Sequence, residues 1–137
     1  METLTDAQIS VYPSGMLLER SQLQALGRGN FFARLHSFLM DRVRPLPLRN
    51  LLEQQADSVH QIWHQVLDAV DPGSEYSRAI LLSYAFCRWR DGYEPVMAAR
   101  QMVASADGEY QAKCYFENAG ILRFSEFDLH LCQTSNA

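Results

Sequence analysis

Apolar residues in the first half of the chain recur at steps of three and four positions, the spacing that places them on one face of an α-helix. Phe31, Leu35 and Phe38 form such a face in a helix predicted to end at about residue 43. A separate helix is predicted over residues 14–26, because the glycines at positions 27 and 29 favour a helix end. The first third of the chain is therefore expected to contain two helices.

The next segment, RPLPLRN, interrupts this pattern. Pro45 and Pro47 lack the backbone N–H that a helix interior needs, and they favour an extended link. From about Leu48 the helical period resumes and continues to the DPGS turn that begins at Asp71. One long amphipathic helix is predicted there, with the following apolar residues on its buried face: Leu51, Leu52, Ala56, Val59, Ile62, Trp63, Val66 and Leu67.

The second half begins with a predicted helical hairpin. The stretch EYSRAILLSYAFCRWR has a wide apolar face and is predicted to be a helix. Asp91 and Gly92 favour a tight corner after it. Pro95 suits the first turn of a second helix, which is expected to reach about Ala104.

Residues 109–131 fit two patterns. The stretch GEYQAKCYFENAG alternates polar and apolar residues as a strand does, yet Cys114, Tyr115 and Ala119 also fit one helical face. A helix is the preferred interpretation, and Gly120 suits its end. The alternative is a C-terminal β-hairpin, which would make the protein α+β.

Length and composition favour one domain. The chain has 137 residues, of which 47% are apolar and 20% charged, enough to bury a core. We predict a single all-α domain over residues 1–137. Residues 1–13 are expected to be flexible, residues 14–70 to form N-terminal helices, and residues 71–133 to form helical hairpins against which those helices pack.

Charge and cysteine content narrow the function classes. The net charge of −4 disfavours nucleic-acid binding. The N-terminal METLTDAQIS lacks the features of a secretion signal, and no apolar run is long enough for membrane insertion, so a cytoplasmic location is expected. Cys87, Cys114 and Cys132 are too widely spaced for a zinc or redox motif and are expected to be reduced.

The second half also contains an internal repeat. A shift of 34 residues superposes the following pairs: Ile80 and Cys114, Leu81 and Tyr115, Leu82 and Phe116, Ala85 and Ala119, Tyr93 and Phe127, Glu94 and Asp128. A period of this length is that of helical-hairpin repeats. The repeat therefore favours the helical interpretation of residues 109–131.

The repeated segments resemble a known family. The stretch LLSYAFCRWRDGYEP resembles the first helix and corner of a tetratricopeptide repeat, with Ala85 at the small-residue position and GYE at the corner. YFENAGILRFSEFD resembles a degenerate second copy, in which Glu126 stands where the first has Gly92. The resemblance covers about residues 71–133, and within the family LLSYAF…YE is similar to bacterial type III secretion chaperones.

This resemblance implies tetratricopeptide-like stacking and a non-enzymatic, protein-binding function. The implied protein is a chaperone or adaptor that shelters a segment of a partner, such as a secretion-system component, in a groove. The groove residues implied by the repeat are Leu82, Phe86, Trp89, Phe116 and Arg123. Trp89 equally fits a core position. An inhibitor or immunity-type protein that blocks an enzyme is an alternative, and a homodimer or heterodimer is compatible with the exposed hairpin faces.

A function of another class would be a small metal-dependent enzyme. His60 and His64 lie one helical turn apart, roughly in line with Asp57 and Asp68, so this face has metal-ligand residue types. However, the sequence contains no HExxH motif, glycine-rich phosphate loop or GxSxG elbow. A protein without enzymatic activity or cofactor is therefore the preferred interpretation.

The most basic stretch, DRVRPLPLRN, leaves two roles open. Arg42, Arg44 and Arg49 surround the two prolines. They suit contact with an acidic partner or phosphate. They equally suit an exposed link whose arginines are solvated.

Overall fold

The computed structural model describes residues 20–123 and 125–127, with side chains from residue 28 onward. Within this part the chain forms six helices and no strand, so the all-α class is confirmed and the β-hairpin alternative is wrong there. The helices are α1 (Arg20–Arg42), α2 (Leu46–Gln54), α3 (Ala56–Ala69), α4 (Glu75–Arg90), α5 (Pro95–Ala104) and α6 (Gly108–Asn118). The segment 1–13, Asp128 and Cys132 lie outside the described residues.

The chain divides into two compact units, Met1–Arg34 and Leu35–Ala137. In the first, Phe31 is buried and the guanidinium of Arg34 lies 5.6 Å from the centre of its ring. The second unit contains α2 to α6 and all the sites described below. The prediction of a single domain over residues 1–137 stays a prediction.

α1 is longer than expected, because it runs without a break through Gly27 and Gly29. The predicted end of a first helix at these glycines is wrong. A glycine inside a helix costs about 1 kcal/mol relative to alanine. Helix extension is cooperative, so helical sequence on both sides can carry the chain across such a position.

α2 and α3 replace the single long helix predicted from Leu48. α2 begins directly after Pro45, and Pro47 lies in its first turn, where a missing N–H is tolerated. The helix is then interrupted at Gln55, whose φ and ψ are −125° and 41°. Gln55 is neither glycine nor proline, so the sequence gives no local signal for this break.

The hairpin of α4 and α5 has the predicted form. α4 begins after Ser74, whose hydroxyl accepts a hydrogen bond from the Ser77 N–H at 3.1 Å. It ends at the predicted corner, where Gly92 adopts a φ of 98° that side-chain-bearing residues rarely adopt. Glu94 caps α5 by accepting two N–H bonds from its first turn, and Pro95 begins the helix.

The core of the larger unit is built around α4, which contacts α3, α5 and α6. Trp63 is fully buried, and its indole N–H donates to the Leu82 carbonyl at 3.1 Å, which joins α3 to α4. Phe116 stacks on Phe127 at 5.6 Å between ring centres, and Phe127 lies 5.3 Å from Phe38. Phe127, which follows α6, therefore shares a core with Phe38 in the last turns of α1.

The two alanines that the internal repeat superposes, Ala85 and Ala119, have different surroundings in the structure. Ala85 is fully buried, as expected where helices approach closely. Ala119 is exposed, so its predicted close packing is wrong. The reason is that α6 has ended: Gly120 turns the chain with a φ of 70°, and the Ile121 N–H donates to the Phe116 carbonyl at 2.8 Å.

Candidate functional site

A groove of about 350 Å³ lies between α4, α5 and α6. Its lining residues are Tyr84, Gln101, Met102, Ser105, Gly108, Gln111, Ala112 and Tyr115. The rings of Tyr84 and Tyr115 meet edge to face, with centres 5.6 Å apart. None of these lining residues is charged, so the groove combines aromatic faces with neutral hydrogen-bonding groups.

Two polar groups of the groove are held in place by one carboxylate. Asp107 accepts hydrogen bonds from the Ser105 hydroxyl at 3.0 Å and from the Gln111 amide at 3.1 Å. These bonds, of which that from Gln111 is the stronger influence, lower the pKa of Asp107. The carboxylate is therefore ionised at neutral pH and orients both side chains.

Beside the groove lies a group of side chains that we call the tyrosine–arginine cluster: Tyr84, Arg88, Asp91, Tyr93 and Tyr115. The Arg88 guanidinium lies 3.9 Å from the centre of the Tyr93 ring and 5.4 Å from that of Tyr115. Asp91 lies 3.4 Å from Arg88 and accepts a 2.9 Å hydrogen bond from the Tyr115 hydroxyl. Burial raises the pKa of Tyr115 to about 12, so this hydroxyl keeps its proton at neutral pH.

A second cavity, of about 570 Å³, adjoins the groove; we call it the acidic cavity. Its lining residues are Val70, Asp71, Pro72, Met102, Val103, Ser105, Ala106 and Glu109. Met102 and Ser105 belong to both linings, so the two cavities are neighbours. Apolar walls and two carboxylates characterise the second cavity, in contrast to the uncharged groove.

Most of the exposed large apolar side chains lie in the segment that forms α5, its two flanking turns and the start of α6. Five large hydrophobic residues are exposed in the described part of the chain, and four of them lie between residues 93 and 110: Tyr93, Met97, Val103 and Tyr110. The fifth, Leu46, begins α2. Clustered exposed apolar side chains are typical of interaction surfaces.

The five predicted groove residues do not come together. Leu82, Phe86 and Phe116 are at most 1% exposed, so they belong to the core and offer no surface to a partner in this conformation. Trp89 is half-buried in a shallow depression of about 300 Å³ that shares no lining residue with the groove. Arg123 is exposed. Partner binding by these residues stays a prediction.

Tyr84, Arg88, Gln111 and Tyr115 were not predicted from the sequence. Of the α4 residues that the repeat pattern selects, Leu82 and Phe86 face the core and Trp89 lies in a separate depression. A usable signal exists, because Tyr84 and Arg88 are four residues apart, as are Gln111 and Tyr115. Amphipathic side chains at this spacing share one helical face.

His60, which the alternative metal site would share with His64, forms a close pair with His36. His60 Nε2 lies 3.0 Å from His36 Nδ1, and the His60 ring stacks on Trp63 at 5.2 Å. Burial is the main cause that lowers the pKa of both histidines. In residues 20–123 and 125–127, no group of three or more His, Cys, Asp or Glu residues is placed to hold a metal ion. This includes any group that contains His64.

The basic segment contacts the C-terminal part of its own chain. Arg44 pairs with Glu126 at 3.2 Å, and its backbone N–H donates to the Ile121 carbonyl at 3.1 Å. The guanidinium of Arg42 lies 5.0 Å from the centre of the Phe38 ring. Arg44 therefore connects the segment after α1 to the residues that follow α6. Arg49 is exposed.

Comparisons of the chain with protein-family models, with curated protein sequences and with solved structures find no match. No helix in the described part of the chain is long and apolar enough to cross a membrane.

Proposed function

We propose that the protein is a non-enzymatic protein-binding module, a chaperone or adaptor that shelters an extended segment of a partner in the groove. The observation that carries this proposal is the uncharged groove bordered by the tyrosine–arginine cluster. In the same proposal, α4 and α5 form one tetratricopeptide-like hairpin and α6 begins a second. The contacts of α4 with both α5 and α6 support that stacking.

The chemistry of the groove suits a peptide segment. Backbone N–H and C=O groups of a bound peptide need hydrogen-bond partners, and Gln101, Ser105 and Gln111 carry amides and a hydroxyl. Tyr84 and Tyr115 supply flat apolar faces, and tyrosine and arginine are enriched among the residues that dominate binding energy. Burial of partner side chains would contribute about 25 cal/mol per Å², offset by the ordering of the segment.

Hydrogen bonds within the protein already fix the polar side chains of the groove and of the tyrosine–arginine cluster. This prior ordering favours binding. Asp107 holds Ser105 and Gln111, and Asp91 holds Arg88 and Tyr115. Side chains that are already ordered lose less conformational entropy when a partner binds. A partner segment would therefore bind to side chains that are already ordered.

A peptide selection tests the proposal. The full chain is immobilised and used to select binders from a random peptide library, and the selected peptides are then titrated against two variants. Gln101→Trp places a bulky ring in the groove, whereas Gln61→Trp makes the same change at an exposed position of α3. We expect Gln101→Trp to weaken binding by about tenfold or more, a loss of about 1.4 kcal/mol, and Gln61→Trp to leave it unchanged.

Two results would overturn the proposal. One is that no peptide is enriched over an unrelated helical protein treated in the same way. The other is that a Gln101→Trp variant with an unaltered circular dichroism spectrum binds the selected peptides as tightly as the parent does.

A further inference from the structure

We propose that the partner segment carries a lysine or arginine whose side chain enters the acidic cavity. This inference rests on the proposed function and adds the chemical class of the segment. Because Met102 and Ser105 line both cavities, a chain lying in the groove passes beside the acidic cavity. A neighbouring side chain of the same segment can therefore reach it.

The lining of the acidic cavity matches the two parts of a basic side chain. Val70, Pro72 and Val103 form apolar walls, suited to the aliphatic stem of lysine or arginine. Asp71 and Glu109 supply negative charge, and none of the described lining residues of either cavity is basic. The net charge of −4 on the whole chain also favours approach of a cationic segment.

The two carboxylates differ in their existing partners. Asp71 accepts bonds from Arg78 Nε at 2.7 Å and Nη2 at 3.0 Å, and from the Gly73 N–H at 2.9 Å. The negative charge of Asp71 is thus already compensated by Arg78. Glu109 is half-buried in the first turn of α6 and forms no ion pair within the described part of the chain. Of the two carboxylates that line the acidic cavity, Glu109 is therefore the one whose charge is available to a partner cation.

Other occupants of the cavity are disfavoured by charge. An acidic side chain would be repelled by Glu109. A purely apolar side chain would strip water from Glu109 without replacing its hydrogen bonds, which costs free energy. A lysine or arginine replaces those bonds with charge-assisted ones while its stem covers the apolar walls.

The test uses the peptides selected against the full chain. We expect lysine or arginine to be enriched at one position of the groove-dependent peptides. Replacing that residue by norleucine, or making Glu109→Gln, should weaken binding by about fivefold, which corresponds to an ion pair of about 1 kcal/mol. The two changes together should weaken binding no more than either alone, because they remove the same interaction.

Matched variants separate this role from a structural one. Glu53→Gln removes an exposed carboxylate on α2 outside both cavities and should leave binding unchanged. Glu109→Asp keeps the charge and should retain most of the binding. Glu109→Lys should reverse the preference, so that a peptide with glutamate at the basic position binds better than the lysine peptide.

The outcomes also separate this inference from the proposed function. Peptides that need Gln101 but show no preference for lysine or arginine would overturn the inference and leave the groove assignment intact. Equal binding to Glu109→Gln and to the parent would do the same. If no selected peptide depends on the groove, both proposals fail. The norleucine peptide gives its answer on the unmodified protein, whether or not the Glu109 variants fold.

Discussion

The two sides of α4 differ both in residue type and in surroundings. On the core side, Leu82 and Phe86 are at most 1% exposed, and the Leu82 carbonyl accepts the indole N–H of Trp63. On the groove side, Tyr84 and Arg88 are half-buried and keep polar atoms near the surface. Large apolar residues therefore mark the core side, whereas amphipathic residues mark the groove side.

The degree of burial determines whether a side chain of α4 contributes mainly to folding stability or remains available to bind a partner. A fully buried side chain contributes its whole apolar area to folding and has none left for a partner. A half-buried tyrosine or arginine contributes less to folding, but its exposed part remains available for binding. Substitutions on the two sides of α4 should accordingly differ in their effect on unfolding.

The largest effect is expected from Trp63→Ala. Trp63 is fully buried and hydrogen-bonded to α4, so its removal should lower the free energy of unfolding by about 3–5 kcal/mol. Trp89→Ala is the matched control: Trp89 is half-buried, and its loss should cost about half as much. Urea unfolding followed by circular dichroism measures both. Equal losses for the two tryptophans would contradict the assignment of Trp89 to the periphery.

The next effect concerns the two alanines of the internal repeat. Ala85 is fully buried in α4, so Ala85→Leu should overpack the hairpin and cost about 1–3 kcal/mol. Ala119 is exposed after α6, and Ala119→Leu should change stability by less than about 0.5 kcal/mol. The urea midpoints of both variants measure this. A large loss for Ala119→Leu would restore the close packing predicted from the repeat.

The sequence predicts those parts of the fold that depend on local signals. Gly92 supplies a backbone conformation that favours glycine, and Pro95 suits only the start of a helix, so the corner and the bounds of α5 were predicted correctly. The continuity of α1 through Gly29 and the break at Gln55 were not predicted. Both depend on packing and cooperativity rather than on the local residues.

The candidate site depends on contacts between residues that are distant in sequence. Tyr84 and Tyr115 lie on different helices, and His36 and His60 are separated by 24 positions. Periodicity indicates which face of a helix is apolar, but it does not indicate which neighbour covers that face. Because α4 contacts three helices, its sequence alone does not indicate which of these helices borders the side that carries Tyr84 and Arg88.

A smaller effect is expected from Tyr115→Phe, which removes a single hydroxyl from the tyrosine–arginine cluster. That hydroxyl donates to Asp91, so its loss should lower the free energy of unfolding by about 0.5–1.5 kcal/mol. Tyr93→Phe is the control within the same cluster, because Tyr93 is 55% exposed and the variant keeps the ring against Arg88, and it should cost less than about 0.5 kcal/mol. If thermal unfolding finds the two variants equally stable, the cluster is not preformed in the free protein.

The smallest effect is expected from pH, through the pair formed by His36 of α1 and His60 of α3. Burial lowers the pKa of both rings below the ordinary value of 6.5, and a charged His36 would lower the pKa of His60 further. A hydrogen bond with the Leu52 backbone partly offsets the lowering of the His36 pKa. Asp57 raises and His64 lowers the pKa of His60 to a lesser extent. Since the unfolded chain binds protons more readily than the folded one, acid favours unfolding.

This stabilising contribution is complete above pH 6.5, and it is lost as the pH falls from there through the folded-state pKa values. The urea midpoint should therefore decrease between about pH 7.5 and about pH 5.5, the range in which histidine titrates. His60→Gln removes one titrating ring and should reduce this decrease, whereas His64→Gln leaves the His36–His60 hydrogen bond in place and should retain most of it. A decrease of the same size in His60→Gln as in the parent would assign the pH dependence to other groups.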